Sequence, residues 1–466
     1  MTSSNFAQQH LSAANQYIAE NFGELKSDLI ALSRIPGIAW EAFDANELER
    51  SAEAVAKLFS DTGLFDFVDI RRSSANGKPG APAIVAKRAA KNGKPQILLY
   101  AHHDVQPPGD ETVWQSKPFE PVEKNGRLYG RGAADDKAGV VTHLAAVKTL
   151  AEICGPDFDL GLTLFIEGEE EAGSPTFRNF LTENHEDLRA DVIIVADSGN
   201  WTVDVPALTT TLRGLVAQVI EVSTLDHALH SGMYGGAVPD AMMATIKLLA
   251  TLHDDRGNVA IQGLKQGIAD ELPYSDDQLN TDAGLLPGTQ QIGDGSILDR
   301  IWTKPALTVI GIDGQSVAMS SNTMLPSVKA KISLRIAPGE QPEQALALLR
   351  AHLEANLPFG AKLTYGESEL GKPFAQPAGG WARDLAEQAL TAAWGTKSVK
   401  IGVGGSIPFI ADLTEVFPQA QILVTGVEDP DSRAHSPNES VDLAMLQKAM
   451  VAEAIFLVSG NAKPGQ

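Results

Sequence analysis

The feature that most constrains this chain is a recurring junction, in which a short apolar run ends abruptly in imidazole or carboxylate side chains. Leu98-Leu-Tyr100 runs into Ala101-His-His-Asp104, Leu162–Ile166 into Glu167-Gly-Glu-Glu-Glu171, and Val192–Ala196 into Asp197. Apolar runs of this length read as buried strands. Helical stretches lie between them, at Lys137–Ile153 and from Pro175 to about Leu181. Strands alternating with helices predict an α/β fold with a largely parallel mixed sheet sandwiched by helices. In such a sheet ligands bind beyond the carboxyl ends of the strands, which is where these polar clusters fall.

The same reading extends along the chain. A helix over Phe6–Leu32 is stopped by Pro36-Gly37, and strands follow at Phe67–Ile70, Ala83–Ala86 and Gln96–Tyr100. The character changes after Pro206. Ala207–Val222 alternates and is rich in Thr and Val, and Pro239–Leu252 and Gln341–Leu353 are helix-like. Ala306–Gly311, Val328–Ile336 and Lys362–Tyr365 read as strands, and a polar, Gly- and Asp-rich stretch runs from about Asp254 to Asp299. Beyond Gln376-Pro-Ala-Gly-Gly380 the alternation resumes with Ala382–Trp394, Ala420–Val424 and Val441–Val458. The economical organisation is one α/β domain, 1–206 and 378–466, interrupted by an inserted α+β domain, 207–377.

Composition narrows the partners. The charge is 37 − 59 = −22, a balance that repels phosphate backbones and anionic membranes, so neither nucleic acid nor a membrane is expected as partner. The start, Met1-Thr-Ser-Ser-Asn-Phe, is not a secretory signal, and no run reaches the ~18 apolar residues that cross a bilayer. Val441–Val458 comes closest, but Asp442, Gln447, Lys448 and Glu453 interrupt it, so an amphipathic helix on a core is expected. A cytoplasmic protein follows. The single cysteine, Cys154, among apolar neighbours, reads as a structural thiol.

The polar clusters suit metal chemistry. Side chains alternate along a strand, so His102 and Asp104 share a face and His103 points away. A metal-bound imidazole gives its other N–H to a carboxylate, which Asp104 supplies for His102. Asp135 and Asp136 open the helix at Lys137, a place for ligands and for an acidic N-cap alike. The carboxylates of Glu167–Glu171 need a cation or a proton, so one can ligate while its neighbour acts as general base. Asp197 and His435 add further donors. Imidazoles with carboxylate oxygens suit Zn²⁺, and tolerate Mn²⁺ or Co²⁺. With one cysteine a thiolate zinc finger is excluded, and the carboxylate excess favours two metals sharing a bridge.

Taken in order, the strings His102-His-Asp-Val-Gln-Pro107, Leu128-Tyr-Gly-Arg-Gly132 with Asp135-Asp-Lys137, and Glu167-Gly-Glu-Glu-Glu171 with Gly173-Ser174 form a specific set. It continues with His230-Ser-Gly-Met-Tyr-Gly-Gly236, Gly404-Gly-Ser-Ile-Pro408 and Ala434-His-Ser-Pro-Asn-Glu439. The set resembles the dinuclear zinc exopeptidases, a family that includes carnosine dipeptidases, glutamate-releasing carboxypeptidases, aminoacylase and succinyl-diaminopimelate desuccinylase. The match is closest to the dipeptidase branch and runs from about residue 96 to 440.

The resemblance implies a zinc-exopeptidase-like catalytic domain with an inserted lid and dimerisation domain, two divalent ions per subunit, a homodimer, and hydrolysis of dipeptides or short peptides by a water bridging the metals. Position by position, it implies that His102 and Asp197 hold one metal, Glu171 and His435 the other, and Asp135 bridges both, followed by a cis peptide to Asp136. Glu170 is then the general base, Asp104 orients His102, and His230 reaches the partner's active site to stabilise the oxyanion. Arg335 grips the substrate carboxylate, and Asn322 with Gly404, Gly405 and Ser406 lines the substrate pocket. Gly402-Val403 stands where relatives often carry Arg-Glu, and His103 where an apolar residue is common. Asp at position 197, rather than Glu, favours the dipeptidase branch over an N-acyl amino acid amidohydrolase, the alternative with the same metals and arginine.

Overall fold

The computed structural model describes residues 4–405 and 407–462. Among these, nine strands form one sheet. Its central strands, Gly161–Glu167, Gln96–His102, Val192–Val195 and Gln421–Val424, are parallel neighbours in that order. Antiparallel strands flank them: Phe67–Arg71 and Ala83–Arg88 on one side, Ala207–Leu212 and Phe374–Ala375 on the other. Parallel strands need cover on both faces, and Gly161–Glu167 is buried along its whole length. Leu162, Leu164 and Ile166 face a core shared with the helices Ser4–Ser33, Lys137–Cys154, Trp381–Trp394 and Leu443–Ala462. Phe165 points the other way and stacks on Phe180 and Phe177 of the helix Phe177–Glu183, at centroid distances of 4.9 and 5.6 Å.

Two expectations need correction, and one helix went unread. The alternating run after Pro206 is two strands, Ala207–Leu212 and Gly214–Ser223, broken at Arg213. A helix over Ala45–Ser60 was not read from the sequence. Asp44 caps it by accepting from the Asn46 N–H, and Leu48, Ala52, Val55 and Phe59 form its buried stripe. The helix Leu443–Ala462 is not amphipathic. It is long and apolar enough to span a membrane, yet nearly every residue from Ala449 to Gly460 is buried within the protein. Its one buried acid, Glu453, pairs with His143 at 2.7 Å.

The described chain divides into two compact units, residues 1–210 with 376–401 and 412–466, and residues 211–375 with 402–411. The second holds a four-stranded antiparallel sheet, in the order Ala306–Ile312, Ser327–Ile336, Gly214–Ser223, Lys362–Gly371. The helices Ala241–Ala250 and Pro342–Ala355 pack on it through Ala244, Leu248, Ala345 and Leu349 against Val216, Ile220 and Ile332.

One close approach ties the helix Lys137–Cys154 to the sheet. A Cβ on Gly139 would stand 2.2 Å from Asp136 Oδ1 and 2.8 Å from the Ala196 carbonyl oxygen. In an ordinary helix Gly→Ala stabilises by ~1 kcal/mol. Here the sign reverses, and Gly139→Ala is expected to cost ~1–3 kcal/mol through overpacking, read as a lowered melting temperature of the chelated protein.

Candidate metal centre

The parallel register brings the junctions of the sequence to one edge. His102 stands opposite Glu167, and Tyr100 opposite Val195, so His102, the loop Glu167–Glu171 and Asp197 leave neighbouring strands on the same side. Asp135 arrives from the turn before the helix Lys137–Cys154, and His435 from the loop after Gln421–Val424. Two groups of donors result, His102 with Glu170 and Asp197, and Asp135 with Glu171 and His435. Within each group one donor atom per residue lies within 4.8 Å of the others. Asp135 stands between the imidazoles, with Oδ1 3.0 Å from His102 Nε2 and Oδ2 3.0 Å from His435 Nε2. His435 Nε2 is also 3.1 Å from Glu171 Oε2.

The supports of this arrangement are buried polar groups. His102 Nδ1 is 3.1 Å from the backbone oxygen of Asp104 and 3.4 Å from its Oδ1, so the main chain is the nearer orienting partner. The Asp104 carboxylate also accepts the N–H groups of Glu170 and Glu171, at 3.2 and 3.1 Å. His103 turns away, held by Ser51 Oγ and the Pro82 carbonyl. Asp136 accepts the His102 N–H at 3.2 Å, and the Asp135–Asp136 peptide is cis.

Sequence reasoning quoted Arg131, Lys137 and Glu439 without giving them roles. The buried Glu439 carboxylate accepts Arg131 Nη1 at 2.7 Å and the N–H groups of Gly132, Ala134 and Asp135 at 3.1, 2.9 and 3.1 Å, which pins the Asp135 turn. Lys137 Nζ donates to the carbonyls of Leu32 and Ile35 at 2.8 and 2.7 Å. Glu428 was missed altogether, since nothing in the local pattern marks it.

The electrostatics follow from this crowding. Burial, reinforced by Asp135 and Glu171, pushes Asp197 up to about 7 despite the pull of His102. Burial and Asp197 hold Glu170 well above the usual carboxylate range. Asp135 goes the other way: burial opposes it, but hydrogen bonds from His102 and His435 hold it well below that range. Hydrogen bonds to Asp135 and Glu171 raise His435 to about 11. Burial drops Lys137 to about 7. Carboxylates and imidazoles this close, with one carboxylate able to bridge, fit a pair of borderline-hard divalent ions.

The remaining predicted residues lie in the second unit. His230 is exposed, and its Nδ1 accepts the Gly232 N–H at 3.1 Å. A backbone N–H can only donate, so in the neutral ring Nε2 carries the proton. The Ser231 N–H donates to the Asn322 carbonyl at 2.9 Å, which makes His230 and Asn322 neighbours. Arg335 sits on the strand Ser327–Ile336, opposite Leu215 and Ala306. The Gly404 carbonyl accepts Arg213 Nε at 2.9 Å, and nothing lies within 4 Å of a Cβ placed on Gly405. Ser406 lies outside the described residues.

Comparison with known proteins agrees with this chemistry. Residues 98–457 match the model of peptidase family M20/M25/M40. The chain is 35% identical over 420 residues to the cysteinylglycine-S-conjugate dipeptidase of Corynebacterium striatum, covering 89% of this chain and 90% of that one. It is 26% identical over 439 residues to the Beta-Ala-His dipeptidase of Rattus norvegicus, covering 89% and 88%. The fold is similar to that of the di-peptidase Dug1p from Saccharomyces cerevisiae, with a TM-score of 0.76 at 22% identity over 98% of this chain and 100% of that one.

A metal must displace the proton that His435 holds in the metal-free protein. Zn²⁺ or Mn²⁺ loading of chelated protein is therefore expected to release protons, and apparent affinity to go on rising with pH across the whole neutral range, because His435 gives up its proton only near 11. Calorimetric titration in buffers of different ionisation enthalpy reads both effects.

Proposed function

The chain belongs to peptidase family M20/M25/M40, and from that premise we propose that it is a metal-dependent dipeptidase acting on short peptides with a free carboxyl terminus. The observation that carries this reading is the pair of donor groups joined through Asp135. We take the ions to be two Zn²⁺, with His102 and Asp197 on one, Glu171 and His435 on the other, and Asp135 shared. Such ions, when bound, polarise a peptide carbonyl and lower the pKa of water towards ~7.

The chain's own residues do the rest. Glu170 takes the proton of the attacking water and passes it to the leaving nitrogen, a task suited to a carboxyl held above its ordinary range. Asp104 holds the His102 ring and, through the N–H groups of Glu170 and Glu171, the loop that carries the base. His230 offers Nε2–H to the developing oxyanion. The Arg335 guanidinium matches a terminal carboxylate, which is a reason for exopeptidase action. Asn322, Gly404, Gly405 and Ser406 are taken as further substrate-binding residues.

The reading includes a homodimer formed through the second unit, in which His230 serves the partner's site. Apolar exposure there supports it. The edge strand Ala306–Ile312 exposes Val309, Ile310 and Ile312, and the helix Ala241–Ala250 exposes Met243 and Ile246. Uncovered edges and apolar patches of this kind mark association surfaces.

Glu170→Gln is expected to lower kcat by ~10²–10⁴-fold with metal content unchanged. Retained turnover with both metals bound would remove Glu170 as the base. On a panel of free and N-acylated dipeptides, metal-reloaded protein is expected to release amino acids only from the free ones. Cleavage confined to acylated substrates would make it an amidohydrolase. Sedimentation is expected to show a dimer, and His230→Ala to lose activity within it. An active monomer would reject the cross-subunit role.

A further inference from the structure

Glu428 stands apart from the donor groups and from the carboxylates that backbone N–H groups hold, and it also lacks the hydroxyl donor that Tyr100 gives Glu167. Asp135, Glu170, Glu171 and Asp197 are members of the donor groups. Asp104, Asp136, Glu169, Asp429 and Glu439 are held by hydrogen bonds, from backbone N–H groups in every case and also from Thr176, Arg127 or Arg131 in three. Among the described residues, no donor reaches the Glu428 side chain, and it joins neither metal group.

Its placement is set by the backbone. The Glu428 N–H donates to the Ser198 carbonyl at 3.3 Å, and the Asn200 N–H donates to the Glu428 carbonyl at 2.8 Å. These bonds bridge Glu428 to Gly199 in parallel fashion, just beyond Asp197. A Cβ on Gly199 would stand 3.5 Å from the Glu428 Cβ, so the two residues lie side by side. The carboxyl is close enough to feel the charges of Asp135, Asp197 and His435. The bridge to Gly199, two residues past Asp197, sets Glu428 beside the donor groups without its belonging to either.

A carboxylate so placed, with like charges around it and no donor among the described residues, calls for a cation or a proton. A dipeptide brings such a cation. Its α-ammonium is two bonds from the carbonyl carbon under attack, so the group that binds it must stand beside the metal ligands. We propose that Glu428 receives the free α-ammonium of the substrate, and so selects free dipeptides over N-acylated ones. This rests on the dipeptidase reading and deepens it, because the ammonium is the feature that separates a dipeptide from an acylated amino acid.

The test uses the metal-loaded enzyme with Glu428→Gln and Glu428→Asp. The substrates are a dipeptide and its des-amino analogue, which has hydrogen in place of the amine. For Glu428→Gln, kcat/KM on the dipeptide is expected to fall at least ~10-fold, mainly through KM, while the des-amino analogue is cleaved as before. Metal content and melting temperature should match the wild type, and Glu428→Asp should retain part of the preference. Should Glu428→Gln melt early, Glu428→Asp carries the comparison. An equal fall on both substrates would overturn the proposal in favour of a structural role. Loss of a metal ion would overturn it in favour of a further ligand. If the wild type cleaves no free dipeptide, the dipeptidase reading fails and the proposal with it. If it does and Glu428→Gln cleaves it equally well, only the assignment of Glu428 fails.

Discussion

The structure depends on a surplus of buried negative charge. Asp135, Asp136, Glu170, Asp197 and Glu428 crowd the edge of the parallel strands, and the imidazoles of His102 and His435 are the cations within reach. Without metal, the protein answers this crowding with protons: several carboxyls are pushed up, and His435 is held charged. Divalent ions answer it more fully, since each brings two charges to a place where water is scarce. The same crowding holds the Glu170 carboxyl above its ordinary range and makes the edge a fit place for cations.

Such a site has to be held open against its own repulsion. The holding groups are mostly main-chain N–H groups, which carry no net charge and cannot be titrated away. Asp104 is gripped by two of them and Glu439 by three, with Arg131 as the one buried cation in that network. Breaking a buried pair by removing one partner costs several kcal/mol, so Arg131 and Glu439 depend on each other. Neighbouring segments are tied in as well, through Lys137 to Leu32 and Ile35 and through Ser51 of the helix Ala45–Ser60 to the His103 carbonyl.

Much of this was legible in the sequence where the signal is local. A strand that ends in His-His-Asp declares both the sheet edge and, by alternation, which imidazole faces the site. His103 lies against Ser51 and Pro82 because it is one residue out of phase. Long-range closure was not legible from patterns. Nothing near Asp135 says that His435 or Glu439 will meet it, and only likeness to a known family linked those strings. The helix Leu443–Ala462 misled because Lys448 and Glu453 look like a solvated face, whereas Glu453 is buried against His143. Arg213 splits an alternating run because its guanidinium is needed by the carbonyls of Arg300, Lys304 and Gly404. Glu428 carries no signature, because its position follows from the register of Gln421–Val424 against Val192–Val195.

The Glu439 clamp reaches across 304 residues to the N–H of Asp135, and His435 reaches the same aspartate. During synthesis the bridging loop therefore waits, unpinned and short of one imidazole, while the whole inserted unit is made. Contacts so distant in sequence form late. A nascent or truncated chain that stops before His435 lacks a donor of one group and the clamp on the Asp135 turn. The geometry of the Asp135 turn is thus a property of the finished polypeptide, completed by its last thirty or so residues.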